Sequence, residues 1–246
     1  MPAHKSVTKV PHKLAGPTIT QTLRECSHHC PLVIFKVVSF DVEGTLTTRR
    51  FSQVVWEEAI PKLYSEKNDL SFEDAKAHVM REYAKVGEER VEWYDIRYWF
   101  DHFALTNYEG LLKNQKQEIT VYPEVTRVLS KLGKDHKLIV SSNSSREFLK
   151  YELETLEKYF YRIYSATSDF RNVKKTEKVY EKICNLLGIE PSEMIHVGDL
   201  KEEDFNAPRK AGVFAYHLDR TAEELDKFTV KDLKEFEARL EELERT

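Results

Sequence analysis

Val33-Ile34-Phe35-Lys36-Val37-Val38-Ser39-Phe40-Asp41-Val42-Glu43-Gly44-Thr45 is the stretch that decides the fold. Its first eight residues are mostly apolar and rich in β-branched side chains, which predicts a buried strand. The run stops at Asp41, and Glu43-Gly44-Thr45 reads as a sharp turn. A carboxylate placed just after a buried strand can project into a crevice. A glycine turn there leaves backbone N–H groups available to oxyanions. Asp41 and Glu43 can equally be solubilising turn residues, so their position is what makes them candidates.

Downstream of Tyr122-Pro123 the same kind of punctuation recurs. Val125, Val128, Leu129 and Leu132 form a helical stripe, and Lys137-Leu138-Ile139-Val140 predicts a strand ending near Ser141, Ser142 and Asn143. Helices are expected over 145–160 and 173–187, the second stopped by Gly188, with a short strand over 162–164 between them. Strands follow at 194–197, ending in Gly198-Asp199, and at 213–217. A helix at 208–211 with Gly212 at its stop separates these two. A last helix carries Leu233, Phe236 and Leu240 on one face, with Thr229 capping its start and Asp232 in its first turn. Alternating strands and helices predict an α/β fold, a Rossmann-like and mostly parallel sheet with helices on both faces. Active residues then cluster beyond the carboxyl ends of the strands, where Asp41, Ser142 and Asp199 stand.

The segment from Phe51 to Lys116 breaks this rhythm. Val55, Ala59 and Leu63, then Ala75, Val79 and Tyr83, repeat at helical spacing, and Trp93, Tyr94, Ile96, Tyr98, Trp99, Phe100 and Phe103 crowd together. An all-helical, aromatic insert packed on itself and over a cleft fits this pattern. The chain accordingly divides into an N-terminal extension (1–31), an α/β core (32–49 and 119–246) and a helical cap domain (50–118).

With 41% hydrophobic and 33% charged residues among 246, the chain can build a real core, which excludes full disorder. A formal net charge of −4 gives no sign of a nucleic-acid binder. Cys26, Cys30 and Cys184 form an odd set without a secreted-scaffold pattern, so a reducing, cytoplasmic setting is expected. No signal-type segment or membrane-length apolar run is present in the sequence, so no membrane partner is expected. Cys26 and Cys30, with His28 and His29 between them, are an incomplete ligand set for zinc, and an ordinary extension is the expected reading.

The segment Asp41-Val42-Glu43-Gly44-Thr45-Leu46-Thr47 resembles the first motif, Asp-x-Asp-Gly-Thr, of the haloacid dehalogenase superfamily of hydrolases. The resemblance extends from Val37 to His217. Its Asp-x-Glu-Gly-Thr form is similar to the enolase-phosphatase branch. Ser142-Asn143 is similar to the second motif, with Ser141 as competitor. Lys174-Lys175 stands where the third motif has its lysine, and counting back from Gly188 and Gly198 selects Lys174. Gly198-Asp199 with Asp204 resembles the fourth motif, while Glu203 could substitute at the shorter spacing and Glu202 adds a further carboxylate. Without the resemblance, Ser142 and Asn143 are good helix caps and the lysine pair is ordinary solvated surface.

The resemblance implies a Mg²⁺-dependent phosphatase with Asp41 as nucleophile and Glu43 as general acid/base. Ser142 and Lys174 would hold phosphoryl oxygens. Gly44, Thr45, Asn143 and Arg49 would bind substrate, and Asp41, the Glu43 carbonyl, Asp199 and Asp204 would serve the metal. Arg50, Arg97 and Trp93 are further cap candidates, although linker charge and aromatic packing explain them as well. The implied substrate is a small phosphorylated metabolite, handled by a monomer or homodimer. The alternatives are a non-catalytic phosphate- or protein-binding module, a 2-haloacid dehalogenase and a phosphomutase.

Overall fold

The structure is a computed structural model that describes residues 34–224 and 226–245. The extension at 1–31, including Cys26, His28, His29 and Cys30, lies outside the described residues. The first strand, β1 (Val37–Phe40), is buried along its whole length and is flanked by parallel β2 (Lys137–Ser142) and β4 (Met194–Gly198). Outside these lie β3 (Arg162–Ser165), β5 (Phe214–Leu218) and the two-residue β6 (Thr229–Val230), giving the order β3-β2-β1-β4-β5-β6, all parallel. The chain leaves β1 toward β2 on one side and returns to β4 on the other. That reversal opens a crevice above the carboxyl ends of β1, β2 and β4.

Two apolar layers enclose the sheet. One packs Phe40, Val38 and Val140 against α6 (Val125–Leu132) and the C-terminal α11 (Leu233–Arg245). The other packs Val37, Ile139 and Met194 against α9 (Glu177–Leu187). Shorter helices, α7 (Arg146–Glu152), α8 (Ala166–Phe170) and α10 (Ala207–Lys210), complete the core.

The insert follows β1 directly. It comprises α1 (Arg50–Val54), a π-helical turn (Val55–Ala59), α2 (Ile60–Asn68), α3 (Phe72–Val86), α4 (Ile96–His102) and α5 (Tyr108–Asn114). Ser71 caps α3 by accepting the Asp74 N–H at 3.1 Å, a favourable end for a helix buried on its Ala75, Val79 and Tyr83 stripe. Phe51, Val55, Ile60, Val79, Ile96, Trp99 and Leu112 form a core of their own, to which α7 contributes Phe148. The entry and exit of the insert are tied by backbone bonds from Thr48 to Thr120 at 2.9 Å and from Tyr122 to Leu46 at 3.0 Å.

Two expectations are corrected. The helix expected over 145–160 ends at Glu152 and continues as turns. Thr229 does not cap the last helix, because Thr229 and Val230 pair with His217 and Leu218 as the buried edge strand. Asp232 caps that helix instead, accepting the Glu235 N–H at 2.8 Å.

Candidate active site

The end of β1 is held by the Asp41 N–H, which donates to the Val197 carbonyl at 3.0 Å. That bond fixes the Asp41 carboxylate, 5% exposed, between β2 and β4. The chain then folds back on itself as Thr45, Leu46 and Thr47 donate their N–H groups to the Val42 carbonyl, and Gly44 donates to Thr47 at 2.7 Å. Gly44 takes φ +80°, and a Cβ there would overlap the Asp199 carboxylate, so glycine alone permits this close approach. A Cβ on Gly198 would strike Asp204 in the same way.

The expectation that the Glu43-Gly44-Thr45 turn leaves backbone N–H groups for an oxyanion holds for some of those groups and not for others. Those of Gly44 and Thr45 are engaged within the turn. The Val42 and Glu43 N–H groups are the ones without an acceptor among the described residues.

The lysine beside Asp41 is Lys175, not Lys174. Lys175 is fully buried and its Nζ bonds the Asp41 carboxylate, the Asp204 carboxylate at 2.5 Å and the Ser141 carbonyl at 3.2 Å. The reason is local. Asn143 Oδ1 accepts the Lys175 N–H at 2.8 Å, which pins the segment before α9 to the end of β2 and turns this side chain inward. The preceding Lys174 then faces the cap, where it pairs with Glu89 at 3.0 Å. Asn143 thus orients the lysine segment.

Behind Lys175 lies a polar chain that sequence reasoning missed. His196 Nδ1 sits 2.9 Å from Ser39 Oγ and Nε2 3.0 Å from Asp204 Oδ1, all three buried, Ser39 and His196 on the neighbouring strands β1 and β4 and Asp204 on the π-helical turn after β4. Burial lowers the His196 pKa, so a neutral ring donates from Nε2 to Asp204 and accepts from Ser39. Burial works against ionised Asp204, but Lys175 and His196 outweigh it and hold its pKa well below the usual carboxylate range. Burial likewise opposes charged Lys175, and Asp204 with Asp41 outweighs it and pushes the amine up. The available signal was the presence of Ser39 and His196 inside otherwise apolar strand runs.

Asp41 and Asp199 behave differently. Burial raises the Asp41 pKa, Lys175 opposes this, and Asp204 and Asp199 add to it. Burial also raises Asp199, against the Arg49 guanidinium, whose Nη2 donates at 2.6 Å to Asp199 Oδ2. Asp199 Oδ1 is buried with no donor among the described residues. Oxygens of Asp41, Asp199 and Asp204 lie within 4.8 Å of one another. An all-oxygen donor set with an unsatisfied buried carboxylate oxygen fits a hard divalent cation such as Mg²⁺. Asp204 is the least free of the three, since its other oxygen accepts the Leu200 N–H at 2.9 Å.

Ser142 lines the cleft and accepts the Ser144 N–H at 3.2 Å, whereas Ser141 reaches Lys175 through its carbonyl. Glu43 is half-buried, with its carboxyl beside fully buried Glu152 of α7, another residue the sequence did not single out. Thr45 is buried, and Arg220 grips the loop through the Gly44 carbonyl at 3.1 Å and the Thr45 carbonyl at 2.8 Å. The remaining candidates lie at the cap. Arg50 pairs with Glu58 and Glu118, Arg97 pairs with Glu147, and Trp93 lines the cleft. Glu202 bonds Asn206, and the Glu203 carbonyl accepts the Tyr180 hydroxyl at 2.8 Å.

Among solved structures, a HAD phosphatase from Thermococcus onnurineus matches with a TM-score of 0.71 and 24% identity, over 84% of this chain and 98% of that one. A 2-haloacid dehalogenase from Pseudomonas syringae pv. Tomato DC3000 matches with a TM-score of 0.60 and 19% identity, over 85% of this chain and 99% of that one. These likenesses establish the fold. In sequence, the GMP/IMP nucleotidase of Escherichia coli (strain K12) is 21% identical over 167 residues, 66% of this chain and 73% of that protein. The N-acylneuraminate-9-phosphatase of Homo sapiens is 28% identical over 101 residues, 40% of each chain. The haloacid dehalogenase-like hydrolase model matches residues 35–212, a span that holds the whole cluster from Asp41 to Asp204, and the chain belongs to that family.

Proposed function

We propose that the chain is a Mg²⁺-dependent phosphomonoester hydrolase acting on a small phosphorylated metabolite through an aspartyl-phosphate formed on Asp41. The observation that carries this reading is a nucleophile and an acid in one cleft. Asp41 is fixed by Lys175, and Glu43 lines the same cleft. Burial raises the Glu43 pKa despite hydrogen bonds from Ser52 and Glu152 and the nearby Arg49 charge, which keeps a proton available nearer neutral pH.

In the first step a carboxylate oxygen of Asp41 attacks phosphorus and the ester P–O bond breaks. Glu43 gives its proton to the departing alkoxide. In the second step ionised Glu43 takes a proton from water, which attacks phosphorus, breaks the acyl-phosphate bond and restores Asp41. Lys175, the Ser142 hydroxyl and the free Val42 and Glu43 N–H groups offset charge on the phosphoryl oxygens. Asp41, Asp199 and the Glu43 carbonyl would hold Mg²⁺, with Asp204 as their supporting carboxylate. The bound ion supplies charge neutralisation at the phosphoryl group. The buried acid beside Asp41 favours this chemistry over dehalogenation, in which halide leaves without a proton.

The names of the sequence relatives point the same way, since one is a nucleotidase and the other a sugar-acid phosphatase. A phosphomonoester panel run with and without Mg²⁺ is the test. Phosphate release should require the metal and vanish in Asp41→Asn. Undiminished release by pure Asp41→Asn, or halide release from 2-haloacids with no phosphatase activity, would overturn the reading.

A further inference from the structure

The cleft above Asp41 has a volume of about 590 Å³, and its cap side is aromatic. All three tryptophans of the chain, Trp56, Trp93 and Trp99, contribute to it. Their planes are fixed. Trp56 lies flat on Phe148 with centroids 5.1 Å apart and planes 19° from parallel. Tyr83 meets Trp56 edge-on at 6.0 Å and Trp93 at 5.9 Å, holding the two indoles around one buried ring. Trp99 is fully buried and donates its indole N–H to the Trp93 carbonyl at 3.1 Å. Trp56 and Trp93 keep part of their surface exposed, and their indole N–H groups have no acceptor among the described residues. Rigid, partly exposed indoles of this kind suit a flat ring that offers acceptors at its edge.

Charge narrows the choice further. The two cations lining the cleft, Arg49 and Lys174, are paired with Asp199 and Glu89. Glu57, Glu88 and Glu203 line the same space. A second anion on the leaving group would face these three carboxylates, which outnumber the cations of the lining, Arg49 and Lys174. An uncharged aromatic group avoids that repulsion and buries apolar surface that a sugar would leave poorly covered.

Resting on the phosphomonoesterase reading above, we propose that the substrate's leaving group is flat, aromatic and uncharged, stacked in the Trp56–Trp93 cleft. Monoesters of the nucleoside monophosphate type are therefore preferred over phosphorylated sugars and phosphorylated carboxylic acids.

The test compares a nucleoside 5′-monophosphate with ribose 5-phosphate, which presents the same phosphate-bearing group without the base, and with 3-phosphoglycerate, which adds a carboxylate. With Mg²⁺, kcat/KM for the nucleotide should exceed that for ribose 5-phosphate by about tenfold or more, the size of one or two stacking contacts. Trp56→Leu and Trp93→Leu should each shrink this ratio by about tenfold toward unity. Binding is also read on chains that keep both tryptophans, so the result does not depend on how the tryptophan variants fold. The nucleotide should quench the tryptophan fluorescence of Asp41→Asn, and ribose 5-phosphate at the same concentration should not. Equal turnover of the two esters, a ratio unchanged in folded tryptophan variants, or no quenching by the nucleotide overturns the proposal. Acetyl phosphate separates the two layers, since its hydrolysis needs no recognition by the cap. If it is turned over without an aromatic preference, only the proposal falls. If neither it nor any ester is turned over, the hydrolase reading falls as well.

Discussion

The carboxyl groups of Glu43 and Glu152 lie within hydrogen-bonding reach of each other, Glu152 fully buried at the end of α7 and Glu43 half-buried on the catalytic turn with its Oε1 covered. Among the described residues, Glu43 Oε1 and both oxygens of Glu152 have no donor unless one of the pair carries a proton. Burial first, and the Glu43 charge second, raise Glu152 well above the ordinary glutamate value. Glu152, raised further than Glu43, keeps its proton to the higher pH and donates to Glu43 once Glu43 has given up its own. This arrangement turns the extra methylene of Glu43, relative to aspartate, into a contact with the neighbouring helix.

The pair makes stability depend on pH with a definite sign. A carboxyl whose folded pKa is raised stabilises fully below its unfolded value and loses that contribution as pH rises through the folded value. Glu152→Gln keeps the size and a donor but cannot ionise. The variant should therefore melt higher than wild type at about pH 8, by about 1 kcal/mol or more, and converge with it at about pH 4. Thermal melts across pH in metal-free buffer measure this, and parallel curves for the two proteins would show that Glu152 does not hold the proton.

Lys175 and Lys174 are neighbours with opposite surroundings, one sealed between Asp41 and Asp204 and the other paired with Glu89 on the cap. Lys175→Met should lower kcat by about a hundredfold or more, as removal of a charge-stabilising donor does. It also strands two buried carboxylates, at a cost of about 3–5 kcal/mol in urea unfolding. Lys174→Met should stay within about threefold of wild type on both counts. Inverted results would return the role to Lys174.

The α/β alternation and the helical insert were legible because apolar periodicity follows burial. β1, β2 and β4 are read from runs such as Val37–Phe40, whose side chains are all buried. Asp41 and Asp199 were legible because they terminate such runs. The choice between Lys174 and Lys175 was not, since a one-residue offset in an irregular segment is set by the Asn143 bond. Glu152, His196 and Arg220 were hidden for a related reason. Each acts through a partner distant in sequence, and nothing in local spacing marks a buried carboxyl on a helix as paired. Thr229 misled because a good capping residue is also a good strand residue, and edge pairing with His217 decided its state.

Arg220 is such a distant partner. Its guanidinium holds the Gly44 and Thr45 carbonyls, pairs with Glu124 at 2.9 Å and lies 3.4 Å from the Tyr122 ring centroid. A lysine cannot reproduce that planar fork. Arg220→Lys should lower kcat by about tenfold through a looser turn, with KM changing little, because Arg220 holds the turn from behind. A change confined to KM would instead place Arg220 in contact with substrate.

Metal binding should be visible without turnover. Asp199 holds one unsatisfied oxygen and one bonded to Arg49, so a divalent ion entering between Asp41 and Asp199 satisfies the first and competes with Arg49 for the second. Mg²⁺ at about a hundred times its Kd should stabilise the folded protein by about 2.7 kcal/mol, since the unfolded chain does not assemble the site. Asp199→Asn should abolish that shift, and Arg49→Gln should enlarge it by removing the competing cation. Thermal melts with and without Mg²⁺ measure all three. An unchanged shift in Asp199→Asn would mean that the ion binds elsewhere. A smaller shift in Arg49→Gln would mean that Arg49 assists the metal rather than standing in for it.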